Sequence, residues 1–391
     1  MPGGRLRRFM GDVLLIYLDY TANAPVEPAV LERFVRVERG AIGNPNSLHQ
    51  AGRAAAAQME AVTAHIASML GVSPDALIYT SGASEANNLA VKGLTRACRH
   101  AGRHILTTPL EHPSVSGSLT ALQETGYEIE MLPLDGGGRI DLEALPGLIR
   151  PDTVLVAVSA VDSELGAIQP VAAIAQTVSR FPNCHLHVDA TQAIGKLPFS
   201  FSGIDTVSFT AHKFGGLNGC GMLVRGRDVV LEPLIHGGHS TTLYRSGTPA
   251  LALAASMETA LELALDGLEA RLERVARLNR LLRDGLRTNP AVTINSPEDA
   301  SPYILNLSVE GFRGAQLRDR LDERGFCVSV KSACSVENTP SRAVMAIARN
   351  RRRALSAFRV SLSHQTTEEE LHAFLNTLDQ LCKENPSCRA R

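Results

Sequence analysis

The feature of this sequence that most constrains its fold is an alternation of short apolar runs with amphipathic helical stretches between residues 76 and 224. Seven runs are strand-like: 76–80, 104–108, 127–132, 153–159, 185–189, 206–210 and 221–224. Between several of them, apolar residues recur at helical spacing, as from Ala86 to Ala97. Apolar strands that alternate with helices predict an α/β fold, with a seven-stranded, mostly parallel sheet covered on both faces. Ligands of such folds bind at the carboxyl ends of the strands, so the polar residues that follow each strand are candidates for function.

The pattern changes after Pro249. A Leu- and Arg-rich helical stretch runs to about residue 287, and strand-like and helical segments follow at 303–309, 314–324, 326–329 and 358–362. A final helix is predicted from Thr367, where Thr and Glu residues form a capping-box pattern. We therefore expect a large domain over residues 16–248 and a smaller α+β domain over 249–391, joined by the N-terminal strand segment.

Composition excludes several classes of function. The 39 Lys and Arg residues balance 40 Asp and Glu residues, so the basic excess that a dedicated nucleic-acid binder needs is missing. No apolar run approaches the roughly 18 residues of a membrane span. The seven cysteines are scattered, without a Cys-x-x-Cys pair, which argues against a disulfide framework or a zinc ribbon. We expect a soluble protein with reduced thiols in the cytoplasm, with no direct nucleic-acid or membrane partner.

Two helix starts follow predicted strands and carry polar groups. The segment 80–85 is a strand, a turn of small residues and a helix start, where Gly82 and Ser84 can hold one phosphate. The alternative is an ordinary helix cap. His112 follows the second strand and can stack on a planar cofactor or transfer protons. The alternative is a structural histidine. His185 and His187 share one side of a strand without a third ligand, so no metal site is predicted.

An acid and a lysine end two further apolar strands, 24 residues apart. Asp189 would require a partner if buried, and a protonated pyridine nitrogen would be one. Lys213, followed by two glycines, can form a Schiff base with an aldehyde cofactor. A carboxylate that caps the next helix and a solvated lysine are the alternatives.

Taken together, these segments resemble the cysteine desulfurases, which are pyridoxal-phosphate enzymes of fold type I in the class V aminotransferase group. The resemblance covers about residues 16 to 380. Eight segments carry it in the same order: 17–25 (YLDYTANAP), 43–49 (GNPNSLH), 80–88 (TSGASEANN), 111–112 (EH), 187–192 (HVDATQ), 212–213 (HK), 245–248 (RSGT) and 332–335 (SACS).

The resemblance implies a role for each matching residue. Lys213 binds the aldehyde of pyridoxal 5'-phosphate, Asp189 pairs with its ring nitrogen, and Gln192 faces its phenolic oxygen. His112 stacks on the ring, and Ser163 stands where an amide commonly contacts cofactor and substrate. The phosphate is held by Ala83, Ser84, Thr210 and His212, and by Thr248 of the second subunit of a homodimer. The substrate is held by Asn44 and Arg359.

The resemblance also implies the reaction. Sulfur passes from L-cysteine to the thiolate of Cys334, which leaves alanine and an enzyme persulfide for an acceptor protein. Cys327, inside a strand-like run, is instead expected to be a buried structural residue. The polar surroundings of Cys334 suit a thiol that must reach first the substrate and then a partner.

Three departures from the family pattern leave alternatives open. Asp162-Ser163 replaces a common Asn-Asn pair, and Val330-Lys331 replaces small residues before Cys334. Arginines at 349 and 351–353 form a basic cluster, either a solvated face or a docking site for an acidic sulfur acceptor. The alternatives are another class V enzyme, such as a cysteine or selenocysteine lyase or an aminotransferase, and a weakened cofactor-binding scaffold. The intact set of Lys213, Asp189, His112 and Cys334 argues against the scaffold.

Overall fold

The computed structural model describes residues 7–8, 14–238, 240–331 and 339–388. In these ranges the strands are β1 (Arg7–Arg8), β2 (Leu14–Tyr17), β3 (Leu77–Thr80), β4 (His104–Thr107), β5 (Glu128–Met131), β6 (Thr153–Ser159), β7 (His185–Asp189), β8 (Thr206–Thr210), β9 (Gly221–Arg225), β10 (Val292–Ile294), β11 (Ile304–Val309), β12 (Phe326–Cys327) and β13 (Ala357–Ser361). All seven strands predicted between residues 76 and 224 are present, with ends shifted by one residue at most.

The helices of the same ranges are α1 (Pro28–Gly40), α2 (Gln50–Leu70), α3 (Ala83–Ala97), α4 (Pro113–Gln123), α5 (Leu145–Leu148), α6 (Val171–Val178), α7 (Leu251–Leu265), α8 (Leu268–Arg287), α9 (Gly314–Asp322), α10 (Arg342–Ala348), α11 (Arg351–Leu355) and α12 (Glu368–Glu384). Short 3-10 helices cover Pro74–Ala76, Ala211–Lys213 and Pro386–Cys388. None of the described helices is both long enough and apolar enough to cross a bilayer.

The central sheet, as described, has seven strands in the order β3-β9-β8-β7-β6-β4-β5. Strands β8, β7, β6, β4 and β5 are parallel, and β9 runs antiparallel to both β8 and β3. Successive strand residues enter different cores: Leu155 packs with α3 and α4, whereas Val156 belongs to the cluster that includes α2, α6 and α7. The sheet is therefore covered on both faces, as the continuous apolar runs predict.

The C-terminal part differs from expectation in three ways. The strand predicted over 326–329 is shortened to Phe326–Cys327, and β10, α10 and α11 were not predicted. The helical stretch after Pro249 is divided into α7 and α8 at Gly267, whose φ of 73° lies in the left-handed region. A side chain with a Cβ would be strained there, so the glycine permits the break. The capping box that starts α12 is present, with Thr367 and Glu370 bonded reciprocally.

Two small sheets complete the fold. Strands β10, β11 and β13 form an antiparallel sheet, and β12 pairs in parallel with β2. The N-terminal segment therefore joins the C-terminal part, and Asp19 also bridges to Ser361. Helix α7 packs against α1 and α2. The boundary between residues 248 and 249 stays a prediction.

Candidate active site

A cleft of about 390 Å³ lies beyond the carboxyl ends of β6, β7 and β8. Its walls bring together most of the residues singled out in the sequence: Ala83, Ser84, His112, Ser163, Asp189, Gln192, Thr210, His212, Lys213 and Arg359. Asn44 and Thr248 are exposed and do not line this cleft. Cys334 lies outside the described residues. The parallel strands explain the convergence, because their carboxyl ends meet at one edge of the sheet.

The carboxylate of Asp189 is held in one orientation by two donors. Its Oδ1 accepts from the backbone N–H of Thr191 at 3.0 Å, and its Oδ2 accepts from Asn87 Nδ2 at 2.8 Å. The Oδ1 of Asn87 accepts in turn from His187 Nε2 at 3.0 Å and from the Ser208 hydroxyl. Burial lowers the pKa of His187 to about 4, so this ring is neutral. The network fixes Asp189 without placing a second charge beside it.

Asn87 supports the wall of the cleft, a role that was not predicted from the sequence pattern. It lies on the apolar face of α3 and is fully buried. An amide on such a face must find hydrogen-bond partners, since an unpaired buried polar group is costly. A polar residue at an apolar position of the helical pattern was therefore the one sign in the sequence that Asn87 has buried partners.

His112 is the residue that caps the start of α4. Its Nδ1 accepts from the backbone N–H of Ser114 at 3.1 Å and lies 2.8 Å from the Ser114 hydroxyl. An Nδ1 that accepts carries no proton, so the proton of the neutral ring is on Nε2. Burial lowers the pKa of His112, and the neighbouring Lys213 acts in the same direction, against Asp189.

The preceding residue, Glu111, is a second group that the sequence reasoning left without a role. Its buried carboxyl accepts from the Thr108 hydroxyl at 2.6 Å and from the Ser159 hydroxyl at 2.7 Å. Burial raises the pKa of Glu111 to about 7. These bonds join the turn after β4 to the end of β6, and thereby position His112.

The amine of Lys213 lies in the cleft beside the N-terminal segment. Its Nζ donates to the carbonyl oxygens of Thr21 at 3.0 Å and Ala22 at 2.6 Å. The preceding His212 has its Nδ1 3.0 Å from the Thr210 hydroxyl. Burial and the nearby cations Lys213 and Lys196 lower the pKa of His212 to about 4. His212 is therefore a neutral hydrogen-bonding group.

The start of α3 forms the opposite end of the cleft. Gly82 is the N-cap of α3 and makes no side-chain hydrogen bond to the first N–H groups of the helix. Residues 82–84 line the cleft, so these N–H groups and the positive end of the helix dipole are directed toward it. Strand β9 approaches so closely that a Cβ on Gly221 would lie 2.4 Å from the Gly82 carbonyl carbon. Glu85 accepts from the Ser81 N–H and from Arg245 Nε at 2.9 Å. Burial alone would raise the pKa of Glu85, but these bonds outweigh it and lower the pKa.

The guanidinium of Arg359, from β13, closes another side of the cleft and is 2% exposed. Its Nη1 donates to the Ser163 carbonyl and its Nη2 to Asp19 Oδ1, each at 2.8 Å. Its Nε has no partner among the described residues. Ser163 belongs to a turn in which the buried Asp162 accepts from the backbone N–H groups of residues 164 and 165.

Two residues that flank the segment with Cys334 lie close to the cleft. Lys331 Nζ donates to the Thr339 hydroxyl at 2.6 Å. Both residues line a cavity of about 340 Å³ together with His112 and Ser163, which also line the cleft. Cys327 lies in β12 as expected, but it is half-buried, and burial raises its pKa.

The cleft fits pyridoxal phosphate. Two threonine hydroxyls in its wall, on Thr21 and Thr191, are buried without a partner among the described residues, so each has unused hydrogen-bonding capacity for a polar ligand. An amine, a fixed carboxylate and a helix N-terminus match an aldehyde, a ring nitrogen and a phosphate. The spare Nε of Arg359 suits a substrate carboxylate.

Comparison with known proteins identifies the family and the fold of this chain. The family model described as aminotransferase class-V matches residues 16–374. A protein of Mycobacterium tuberculosis named IscS-like cysteine desulfurase is 38% identical over 380 residues, covering 93% of this chain and 95% of that protein. A solved NifS-like protein superposes with a TM-score of 0.88 at 33% identity, over 95% of this chain and 100% of that one. A structure described as SspA in complex with cysteine gives 0.78 at 29% identity, over 90% and 99%.

The solved NifS-like structure confirms the α/β fold that the sequence predicts, and the matched region includes every residue that lines the cleft. The chain belongs to the class V aminotransferase family.

Proposed function

We propose that this protein is a cysteine desulfurase that removes sulfur from L-cysteine, releases L-alanine and retains the sulfur as a persulfide on Cys334. The observation that carries the proposal is the cleft in which Lys213, Asp189 and Arg359 converge. Its relatives include proteins named cysteine desulfurase, which supports the assignment. When bound, pyridoxal phosphate supplies an electron-withdrawing ring that acidifies the Cα of the substrate and labilises its Cβ–S bond.

The residues of the cleft would divide the work as follows. Lys213 would hold the aldehyde carbon of the cofactor and, once the substrate amine has replaced it there, its free amine would remove the Cα proton of the substrate. Asp189 keeps the ring nitrogen protonated, and Arg359 orients the substrate carboxylate. His112 would stack on the ring, and its Nε2 would be the atom that carries or gives up a proton. Ala83, Ser84, Thr210 and His212 hold the phosphate.

Sulfur transfer belongs to Cys334 in this proposal. Its thiolate attacks the substrate sulfur, so a S–S bond forms as the Cβ–S bond breaks. The carbon retains the electron pair and takes up a proton, and the products are alanine and an enzyme persulfide. The position of Lys331 and Thr339 beside His112 and Ser163 supports the access of this segment to the cleft.

The experiment incubates the purified, cofactor-loaded protein with L-cysteine and measures alanine, pyruvate and protein-bound sulfur. We expect alanine, and a persulfide that mass spectrometry locates on Cys334. Cys334→Ser should bind cofactor and substrate without forming a persulfide, because an alcohol is far less acidic and nucleophilic than a thiol. The matched control is Cys327→Ser, which should still form it. Pyruvate in place of alanine would favour the alternative function, a lyase. This alternative is tested because Ser163 replaces a residue that commonly contacts cofactor and substrate in the family.

Homodimerisation is part of the proposal, since Thr248 would complete the phosphate site of the other subunit. Its exposure, outside the cleft of its own chain, supports such a role. Arg245, three residues earlier, is bonded to Glu85 in the first turn of α3. The segment is therefore anchored near the phosphate end of the cleft.

The sulfur acceptor would be an acidic protein. Arg313, Arg351, Arg352 and Arg353 line a surface groove of about 1060 Å³ with Glu310, and Arg351 and Arg352 are exposed. Opposite charge on a partner would speed its association. Charge reversal at Arg351 and Arg352 should slow transfer to such an acceptor while persulfide formation continues. We also propose a cytoplasmic location, which the free thiols of the described cysteines support.

A further inference from the structure

Lys196 is a buried amine immediately behind the cleft. It is 6% exposed, and its Nζ donates to Gln192 Oε1 at 2.8 Å. Its Nζ also lies 5.9 Å from the centre of the Tyr303 ring. No carboxylate lies within ion-pair distance of it among the described residues. An unpaired charge is costly to bury, so the hydrogen bond to Gln192, and not an ion pair, is the contact to explain.

The charges around Lys196 are mostly positive. Lys196 and Lys213 line a small cavity of about 50 Å³ with Glu27, Arg271 and His364. Burial lowers the pKa of Lys196 to about 7, and the cations Lys213 and Arg359 act in the same direction. Whether it is charged or neutral, the amine has an N–H group that it donates in a hydrogen bond to the amide oxygen of Gln192.

This contact and a second one, to Thr21, together determine which way the amide of Gln192 points. Gln192 Nε2 donates to the Thr21 carbonyl at 3.2 Å, and that same oxygen accepts from Lys213. A carbonyl can only accept, and Lys196 donates to the amide oxygen. One orientation therefore satisfies both contacts, while the flipped amide would set two acceptors against each other. One Nε2 hydrogen stays available to the cleft that Gln192 lines.

We propose that Lys196 is a positioning residue, which fixes the amide of Gln192 so that its N–H group, rather than its oxygen, faces the phenolic oxygen of the cofactor. The inference rests on the proposed function for the identity of the cofactor. Lys196 acts through Gln192 and touches neither cofactor nor substrate. Without the lysine, only the Thr21 carbonyl would orient the amide, so its N–H group would be held less firmly and would donate more weakly to that oxygen.

The test uses Lys196→Met, which keeps the apolar stem against Tyr303 and removes the donor. The protein is loaded with pyridoxal phosphate, and the absorbance of the bound cofactor is titrated against pH without L-cysteine. We expect the apparent pKa of that absorbance to rise by about one unit, a tenfold change in proton affinity. The matched control is Lys92→Met, because Lys92 makes the same type of bond to an amide four residues earlier, Asn88, away from the cleft.

A double-mutant cycle with Gln192→Leu separates positioning from a direct effect of charge. If Lys196 acts through Gln192, adding Lys196→Met to Gln192→Leu produces no further shift. Additive shifts, or a Lys196→Met variant that titrates like the wild type, would overturn the inference. Thermal unfolding checks each variant. If Lys196→Met does not fold, Lys196→Gln replaces it, and its amide, which can also accept, should give a smaller shift in the same direction.

The outcomes separate this inference from the proposed function. A protein that binds the cofactor but releases no alanine from L-cysteine would refute the desulfurase, and the titration would still measure the role of Lys196. If the protein releases alanine from L-cysteine but Lys196→Met leaves the apparent pKa of the cofactor absorbance unchanged, only the positioning role is refuted.

Discussion

The side-chain amide of Asn87 lies 2.8 Å from the carboxylate of Asp189, although 102 residues separate them in the sequence. The bond is fully buried, and the other Asn87 hydrogen bond from the same nitrogen goes to the Ser114 hydroxyl at 2.8 Å. Ser114 in turn contacts His112. One neutral amide therefore links the carboxylate at one side of the cleft to the imidazole at another.

Asn87→Asp tests this link with an isosteric change. A second carboxyl group beside Asp189 makes it unfavourable for both to ionise, which weakens the pairing with a ring nitrogen. We expect the affinity for pyridoxal phosphate to fall by at least about tenfold, or 1.4 kcal/mol, measured by absorbance titration. The control is Asn88→Asp, whose side chain meets Lys92. Unchanged affinity in Asn87→Asp would contradict the role assigned to the network.

Arg359→Lys should weaken substrate binding more than turnover. A lysine ammonium cannot contact Ser163 and Asp19 as the planar guanidinium does and still offer a further N–H to a carboxylate. We expect KM for L-cysteine to rise by about 10- to 100-fold, in steady-state kinetics. Arg353→Lys, a half-buried arginine bonded to Asn295, is the control. An equal fall in kcat with constant KM would show that Arg359 does not hold the substrate.

The ion pair of His185 with Asp205, at 3.0 Å, should make stability depend on pH. The hydrogen bond that His185 donates to Asp205, with a smaller contribution from Cys98, raises the pKa of His185 to about 10 in the folded protein. Because the folded pKa lies above the unfolded value of 6.5, the stabilisation is complete below pH 6.5 and is lost as pH rises through 10.

His185→Asn removes that dependence. Since solvent screens this partly exposed pair, we expect the wild type to exceed the variant by about 1–2 kcal/mol at pH 6, and by little above pH 10, in urea unfolding. His100→Asn, an exposed histidine, controls for general effects of pH. A difference between wild type and His185→Asn that stayed constant across this range would refute the linkage.

The proposed dimer predicts an effect of charge on exposed apolar side chains in the two chain segments that carry Thr248 and Asn44. Leu243 is 69% exposed and Leu48, in the loop after Asn44, is 87% exposed. Leu243→Glu or Leu48→Glu should shift the protein toward monomer and lower cofactor affinity, because ligand and subunit association are linked. Sedimentation velocity with and without pyridoxal phosphate measures this. Met131→Glu, on the edge strand β5, is the control. A wild-type protein that stays monomeric and still binds the cofactor on dilution would contradict the proposed dimer.

Local pattern alone was sufficient for much of this molecule. Apolar periodicity predicts the seven strand segments, and the polar residues that end them predict the positions of Asp189 and Lys213. The Thr367 capping box follows from its Thr and Glu residues. These features depend on residues within one turn or one strand of each other, so a single sequence determines them. Cys334 also rests on the sequence alone, since it lies outside the described residues.

Tertiary structure decided what lies behind the cleft. Strand β9 enters between β3 and β8 and brings Gly221 against Gly82, an order that no local pattern encodes. The partners of Asn87 and Lys196 depend on which buried donors and acceptors meet once the helices cover the sheet. A buried polar group must be satisfied, but only the packed fold determines by which residue. The sequence by itself determined the chemistry available to this protein, and the fold decided how those groups are held, because hydrogen bonds across a hundred residues form only where the backbone has already brought them together.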